Sequence, residues 1–261
     1  MANVYHLDLN RKKIEGARIA LLPGDPARVE TIAAFMAGKS GSDAKELAFR
    51  REFRTILART NGANVLITST GIGGPSASIA IDELAQLGIK TFIRVGTAGA
   101  IQTHIGIGDC VITTGAVRLD GASTHYAPIE YPAVAHHEIV AALINGAVKA
   151  GVRHHAGITA SSGTFYPGEE RKDSYRKYVI KSLQGTREEW LRLNVLNYEM
   201  ESSVVLTLTA SMGLMGGCIT GIVNRAGAGK ITEKALRQGT ENAVKAAVCA
   251  VESLISPKGL C

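Results

Sequence analysis

The sequence predicts a single α/β domain built on a twisted, mainly parallel β-sheet. Two observations predict this fold class. Short apolar stretches rich in β-branched residues alternate along the chain with stretches of helical periodicity. Glycine-rich turns follow several of the apolar stretches, as expected where a buried strand is followed by a helix. The 261 residues suffice for one large domain, so we assign residues 1–261 to it and expect a flexible tail at 256–261.

The first half of the chain alternates strands and helices. Strands are expected at 17–22, 64–70 and 91–96, with a charged hairpin or bent strand at 46–60. Helices are expected at 27–35 and 76–87. Asp25 and Pro26 are typical of a helix N-cap and first helical residue, and Pro75 suits the first turn of the second helix. Gly88 is typical of the residue that ends a helix.

The second half continues the alternation. Strands are expected at 109–117, 156–161 and 216–223, and helices at 136–150, 186–193, 197–212 and 232–255. The long irregular segment 118–135 lies between a strand and a helix. Connections of this length in a compact domain are often functional or lie at an interface.

Composition excludes several classes of function. Hydrophobic residues make up 46% and charged residues 20%, which is ordinary for a globular protein. A net charge of +6 with 5% aromatic residues argues against nucleic-acid binding, and no apolar run is long enough for a membrane span. The four cysteines lack metal-ligand spacing and the N-terminus lacks a signal peptide, so a reduced, cytoplasmic protein is expected.

Arg94 is the first candidate functional residue, because it lies inside the apolar strand 91–96. A buried guanidinium is costly unless an anion meets it. Gly24 and Arg28 lie at another strand-to-helix turn, where free backbone N–H groups favour an anion. Together with Arg51 and Thr97, these groups suit phosphate, which arginine holds in a fork.

Two further groups of residues indicate a nucleoside or nucleotide. Glu199 and Glu201 lie at an extended-to-helix junction, where a carboxylate is able to accept hydrogen bonds from a sugar diol. Phe165 and Tyr166 are suited to cover a flat ring. A dinucleotide-binding turn at 71–76 is disfavoured, because no acidic residue ends the following strand.

These motifs resemble the nucleoside phosphorylase family, in its pyrimidine-cleaving branch. The resemblance begins with Gly71-Ile72-Gly73-Gly74-Pro75-Ser76, followed by Ile79 and Glu83-Leu84, and covers nearly the whole chain. It also includes His6 and the segments 23–28, 51–53, 94–97, 117–123, 165–171 and 197–202. The family fold it implies is a three-layer sandwich whose mixed central sheet is flanked by helices. The implied reaction is reversible phosphorolysis of a pyrimidine nucleoside, uridine first, to the base and ribose 1-phosphate.

The resemblance also implies a role for each site residue. Phosphate would be bound by Gly24, Arg28, Arg94 and Thr97, with Arg51 contributed by a neighbouring subunit. Ribose would be bound by Met200, Glu201 and the neighbour's His6, and the base by Phe165, Glu169 and Arg171. The catalytic groups would be Arg94, Arg171 and Glu201.

The family resemblance further implies an assembly and an ion. Potassium would bind at a dimer interface, at the positions of Glu52, Ile72 and Ser76, and no organic cofactor is expected beside the co-substrate phosphate. The implied oligomer is a hexamer built as a trimer of dimers.

The chain departs from the family pattern mainly at Glu169, where pyrimidine enzymes usually carry Gln. An ionised carboxylate only accepts hydrogen bonds. Glu169 therefore pairs with Arg171, is protonated, selects a different base, or points away from the base with little effect. We therefore predict that Glu169→Gln raises kcat/KM for uridine. Asn224-Arg225 stands where purine-cleaving relatives have a Ser-Asp pair, which favours a pyrimidine. A hydrolytic nucleosidase and a non-catalytic nucleoside-binding protein remain alternatives.

Overall fold

The computed structural model describes residues 2–41, 43–227 and 230–255, and the tail predicted at 256–261 lies outside these ranges. Within them, the strands are β1 (Ile19–Leu22), β2 (Lys45–Arg50), β3 (Phe53–Thr60), β4 (Ala63–Thr68), β5 (Thr91–Ala100), β6 (Cys110–Leu119), β7 (Ala133–Val134), β8 (His154–Ser162), β9 (Asn197–Glu199) and β10 (Met215–Arg225). The helices are α1 (Pro26–Ser40), α2 (Gly74–Leu87), α3 (His137–Lys149), α4 (Thr186–Arg192), α5 (Ser202–Ser211) and α6 (Glu233–Ile255). Short 3-10 turns cover Ala122–His125 and Lys181–Leu183.

The strands form one mixed sheet. Its first part has the order β2-β3-β4-β1-β5, and β5 then joins a circuit of pairings that runs through β10, β6, β8 and β9 back to β5. Pairing is parallel between β1 and its neighbours β4 and β5, and between β5 and β10. It is antiparallel in the β2-β3-β4 meander at the sheet edge, where β2 is largely exposed as its charged sequence predicts.

Helices cover both faces of the sheet. Ile32 of α1, Leu143 of α3 and Val248 of α6 belong to one fully buried apolar cluster. Ile81 of α2 and Leu208 of α5 belong to a second cluster on the other side. The predicted three-layer α/β sandwich with a mixed sheet is thereby confirmed.

Turn chemistry explains the helix boundaries. The Asp25 carboxylate accepts a hydrogen bond from the backbone N–H of Ala27 at 2.9 Å, which caps α1 as predicted. Gly88 has a φ of 107°, and its N–H bonds back to the last turn of α2. Helix α1 runs beyond the predicted end at residue 35, because the left-handed residue that ends it is Gly41.

Two predicted boundaries are wrong near the site. The helix expected from residue 197 begins only at Ser202, because Asn197–Glu199 form strand β9 between β5 and β8. Strand β5, expected to end at Gly96, continues to Ala100 because β10 pairs along its whole length. Among the described residues, no helix is both long enough and apolar enough to cross a membrane.

Candidate active site

A cavity of about 600 Å³ lies where β1, β5, β9 and β10 end. In α/β proteins, ligands bind at the carboxyl ends of the parallel strands, as here. Residues from the strand ends and the turns after them line it, among them Gly24, Arg28, Glu52, Ile72, Ser76, Arg94, Thr97, Phe165, Glu169, Met200, Glu201 and Asn224. The cavity therefore collects most of the site residues that the sequence predicts.

Arg94 lines this cavity and is 5% exposed. Its Nε donates to Glu199 Oε2 at 2.8 Å, and its Nη2 lies 2.5 Å from Glu201 Oε2. The anion predicted at Arg94 was phosphate alone, but the protein itself supplies two carboxylates. Burial by itself would lower the pKa of Arg94, and these two carboxylates outweigh it and raise the pKa instead. Arg94 is therefore a fixed cation before any ligand arrives.

Glu199 and Glu201 have different surroundings. The Glu199 carboxylate also accepts from the backbone N–H groups of Glu201 at 2.8 Å and of Ser202 at 2.9 Å, so it caps the start of α5. The Glu201 carboxylate instead accepts from the backbone N–H of Gly73 at 2.5 Å. Burial raises the pKa of Glu201, and so does the neighbouring Glu199 charge. Both carboxylates were predicted to be able to bind a sugar diol. Because Glu199 already accepts hydrogen bonds from Arg94 and two backbone N–H groups, Glu201 is the better candidate for binding the diol.

The predicted phosphate residues split into two sets. Gly24, Arg28, Arg94 and Thr97 all line the cavity, whereas Arg51 is exposed in the β2–β3 turn and does not. Burial and the nearby Arg94 charge lower the pKa of Arg28, which indicates that the two guanidiniums converge on one space. Among the described residues, no hydrogen bond uses Nη1 of Arg94. Two converging cations with free donors suit an anion.

The predicted ribose residues divide in the same way. Met200 and Glu201 line the cavity, but His6 lies outside it. His6 Nδ1 is 2.7 Å from Glu83 Oε1, and the same carboxylate accepts from the backbone N–H groups of His6 and Leu7. In the sequence, Glu83 stands out only as part of the glycine-turn motif, and its role in holding the N-terminal segment is not predicted. Leu7 and Glu83 are 76 positions apart in the sequence, so no local sequence pattern reveals this contact.

The predicted base residues have mixed outcomes. Phe165 and Glu169 line the cavity, whereas Tyr166 and Arg171 do not. Tyr166 was expected to cover a flat ring, but it is 47% exposed, and its ring packs nearly perpendicular to that of Phe165, with 5.2 Å between the ring centroids. The Arg171 guanidinium lies over the Phe165 ring, 4.5 Å from its centroid. Its Nη1 is buried without a hydrogen-bond partner among the described residues.

Asp173 is a site-supporting residue that the sequence analysis missed. Its carboxylate accepts from Arg171 Nε at 3.0 Å and from Arg171 Nη2 at 2.6 Å. The ion pair of Arg171 is thus with Asp173, and among the described residues it forms none with Glu169, unlike the predicted alternative in which the two residues pair. Glu169 itself is 5% exposed, and burial raises the pKa of its carboxyl to about 8.

The residues predicted to hold potassium lie together at the rim of the cavity. Ser76 Oγ donates to Glu52 Oε1 at 2.9 Å, and Ile72 is 78% exposed beside them. Carboxylate and hydroxyl oxygens are suitable ligands for a hard cation, so the residues fit the ion in type. Among the described residues, no group of three His, Cys, Asp or Glu side chains is arranged to hold a metal.

The fold and site define an α/β enzyme whose cavity brings an anion site, a carboxylate and an aromatic ring together. The cavity volume suits one small molecule of about nucleoside size plus an anion. Comparison with known proteins agrees: residues 18–256 match the Phosphorylase superfamily, and the chain belongs to this family.

Individual relatives are similar over nearly their whole length. The chain is 49% identical to the uridine phosphorylase of Escherichia coli (strain K12), over 97% of this chain and 99% of that protein. It is 48% identical to the uridine phosphorylase of Haemophilus influenzae, over 98% and 100% respectively. A more distant relative, the guanosine phosphorylase of Halorubrum lacusprofundi, is 34% identical over 97% of this chain and all of that protein.

Proposed function

We propose that this protein catalyses the reversible phosphorolysis of uridine to uracil and ribose 1-phosphate, in pyrimidine nucleoside salvage. One observation carries the proposal: a single cavity holds Arg28 and Arg94, the carboxylate of Glu201, and the ring of Phe165. These groups match the phosphate, the ribose hydroxyls and the base in turn. The full-length similarity to uridine phosphorylases supports the same substrate.

In the proposed reaction, a phosphate oxygen forms a bond to the anomeric carbon as the bond from that carbon to uracil N1 breaks. The electron pair of the broken bond leaves with uracil. Arg28 and Arg94 hold the nucleophile, and Glu201 accepts hydrogen bonds from the ribose hydroxyls. Positioning of this kind supplies about 7–11 kcal/mol in favourable cases. Because Gly73 and Arg94 already fix Glu201, little reorganisation is needed when the substrate binds.

The leaving group requires hydrogen-bond donors, since negative charge develops on the uracil ring. Arg171 supplies a positive charge beside Phe165, and its Nη1 is free to donate. Asp173 holds the other edge of the guanidinium in place. We assign Arg171 the role of stabilising the departing base on this geometry.

The charges in the phosphate region point to a second subunit. Arg28 and Arg94 contribute two positive charges, and Glu199 and Glu201 contribute two negative ones. The region is therefore close to neutral before a phosphate dianion enters it, and a further cation is needed. We propose that Arg51 and His6 from a second copy complete the site, in a homo-oligomer that is a trimer of dimers. Potassium at Glu52, Ile72 and Ser76 belongs to the same proposal.

Phosphate dependence tests the reaction. Free uracil is followed during incubation with uridine, with and without inorganic phosphate, and ribose 1-phosphate is assayed as the second product. We expect uracil release only with phosphate. Release without phosphate would indicate a hydrolytic nucleosidase, and tight uridine binding without release would indicate a non-catalytic binding protein. We also propose a cytoplasmic location, in line with the free thiols of Cys110, Cys218 and Cys249.

Subunit complementation tests the shared site. Arg28→Ala and Arg51→Ala are each expected to be nearly inactive, but co-expressing the two variants should restore about a quarter of the wild-type activity. In a mixed dimer, one of the two sites then contains Arg28 and receives Arg51 from its partner. Co-expression of Arg28→Ala with Arg94→Ala is the matched control, because both residues line the same protomer's cavity and no intact site forms. No restoration in the first pair would contradict the shared site.

A further inference from the structure

Glu169 occupies a place in the cavity where a charge is not compensated. Its side chain is 5% exposed and lines the cavity beside Phe165. Among the described residues, its carboxyl forms no ion pair and no hydrogen bond. An ionised carboxylate in such a place loses its hydration without gaining a partner, which favours the neutral acid.

The charged groups that face Glu169 reinforce this preference. Arg171 is the nearest cation, but its guanidinium is already engaged by the Asp173 carboxylate. Glu199 and Glu201 face Glu169 from the β9–α5 junction, and their negative charges oppose its ionisation. Burial, with these two charges, raises the pKa of Glu169 to about 8 even though Arg171 acts in the opposite direction.

Tyr198 is a further titratable group beside Glu169. Burial raises the pKa of its phenol to about 12, so it carries no charge at neutral pH. Tyr198 therefore adds neither a cation nor a competing titration in the range in which Glu169 ionises.

We propose that Glu169 binds the base as a neutral carboxylic acid, whose O–H donates to the uracil 4-oxygen while its carbonyl oxygen accepts from N3–H. This inference rests on the proposed uridine activity. A neutral carboxyl presents one donor and one acceptor, as the amide of Gln does. Glu169 thus performs the hydrogen bonding of the expected Gln for as long as it keeps its proton. The ionised form presents two acceptors, and it would repel both the 4-oxygen and a leaving group that gains negative charge.

The consequence is a pH-dependent advantage of Gln over Glu at position 169. The pH dependence of kcat/KM reports ionisation in the free enzyme. With a pKa of about 8, the neutral fraction falls to about one half at pH 8 and to about one eleventh at pH 9. The ratio of kcat/KM for Glu169→Gln to that of the wild type should therefore rise about tenfold between pH 6 and pH 9.

The experiment measures kcat/KM for uridine at saturating phosphate, from pH 6 to 9, in the wild type, Glu169→Gln and Glu170→Gln. Ionisation of phosphate and uridine is common to all three proteins and cancels in the ratios. Glu170→Gln is the matched control, since Glu170 accepts from the backbone N–H groups of Gly185 and Arg187 rather than lining the cavity. Its ratio to the wild type should not vary with pH. A Glu169→Gln ratio that is equally flat would overturn the proposal.

A binding measurement separates this proposal from the proposed function. Uridine without phosphate is titrated into each protein at pH 9, by calorimetry in two buffers of different ionisation enthalpy. Uptake by the ionised fraction of uridine is common to both proteins, so the wild type should show an uptake close to one proton per site larger than that of Glu169→Gln. Absence of that difference in uptake would overturn the neutral-acid proposal even if both proteins cleave uridine. Absence of phosphate-dependent uracil release in both proteins would refute the proposed function instead. If the wild type preferred guanosine and Glu169→Gln abolished that preference, Glu169 would bind the base in its ionised form, and the neutral-acid proposal would be overturned.

Discussion

Replacement of Arg94 tests whether its two ion pairs hold the site together. In Arg94→Met, the methionine retains much of the side-chain volume but leaves Glu199 and Glu201 buried without their cation; both are less than 5% exposed. Removing one partner of a buried ion pair costs about 3–5 kcal/mol. We therefore expect the free energy of unfolding at pH 8 to fall by about that amount.

The predicted loss depends on pH, and its sign follows from Glu201. Burial raises the pKa of Glu201 above its ordinary value of 4.5 against the effect of Arg94, so removing Arg94 raises this pKa further. The folded variant then binds more protons than the unfolded chain above pH 4.5, so its stability falls as the pH rises. The loss should be smaller at pH 5 than at pH 8. Adding Glu199→Gln and Glu201→Gln to Arg94→Met should restore part of the stability at pH 8.

Arg54 supplies a matched control. Its Nη2 lies 2.5 Å from Glu30 Oε1 and 2.6 Å from Glu46 Oε2, so it also bridges two carboxylates. Those carboxylates are 63% and 45% exposed, however, and solvent screens them. Arg54→Met should therefore cost no more than about 1 kcal/mol.

The assay is denaturant unfolding at pH 5 and pH 8. One protomer concentration is used throughout, because oligomerisation adds to apparent stability. If Arg94→Met costs no more than Arg54→Met, or costs the same at both pH values, the two carboxylates are not left uncompensated. Either result would refute the reasoning.

Three further predictions concern the surroundings of the site. Gly71→Ala should destabilise the fold by about 1–3 kcal/mol in thermal unfolding. The φ of Gly71 is +70°, and an added Cβ would lie 2.8 Å from atoms of Glu52 and Ser76. Gly121→Ala should destabilise the fold less, because Gly121 has a similar φ of +77° but open space around it. Glu83→Gln should lower the stability of the fold at pH 7, because hydrogen bonds from His6 hold the pKa of the Glu83 carboxyl down against the effect of burial. This loss of stability should shrink as the pH falls below 4.5. An equal loss at pH 4 would contradict that assignment. Burial raises the pKa of the Cys110 thiol to about 12, so peptide mapping should find it unmodified by iodoacetamide at pH 8 unless the protein is first denatured.

The helix and strand order was predictable because turn residues mark its boundaries locally. Asp25 and Gly88 act as the helix cap and helix stop that their types predict. Strand β9 was not predictable, because Asn197–Glu199 are extended by pairing with β5 and β8, which lie far away in sequence. Long-range pairing of this kind overrides local propensity.

The membership of the site was largely predictable, but its internal connections were not. Arg94 was identified because a cation inside an apolar strand needs an explanation, and the structure supplies its partners from the β9–α5 junction. Asp173 was missed because an acidic residue two positions after Arg171, in a polar segment, does not stand out from a solvated surface. A residue type indicates the chemistry at a position, whereas a pairing depends on the direction of the side chain.

Gly96 shows how the backbone of β5 accommodates this centre. A Cβ at this position would lie 2.7 Å from Arg94 Nη2, so the guanidinium occupies the space that a side chain two residues later would need. That folded-back guanidinium reaches Glu201, and Glu201 in turn binds the backbone N–H of Gly73. The glycine turn after β4 and the arginine of β5 are therefore connected through one carboxylate. A change in the turn that displaced Gly73 would release Glu201 from one of its two donors, which would disturb the ribose and phosphate regions together.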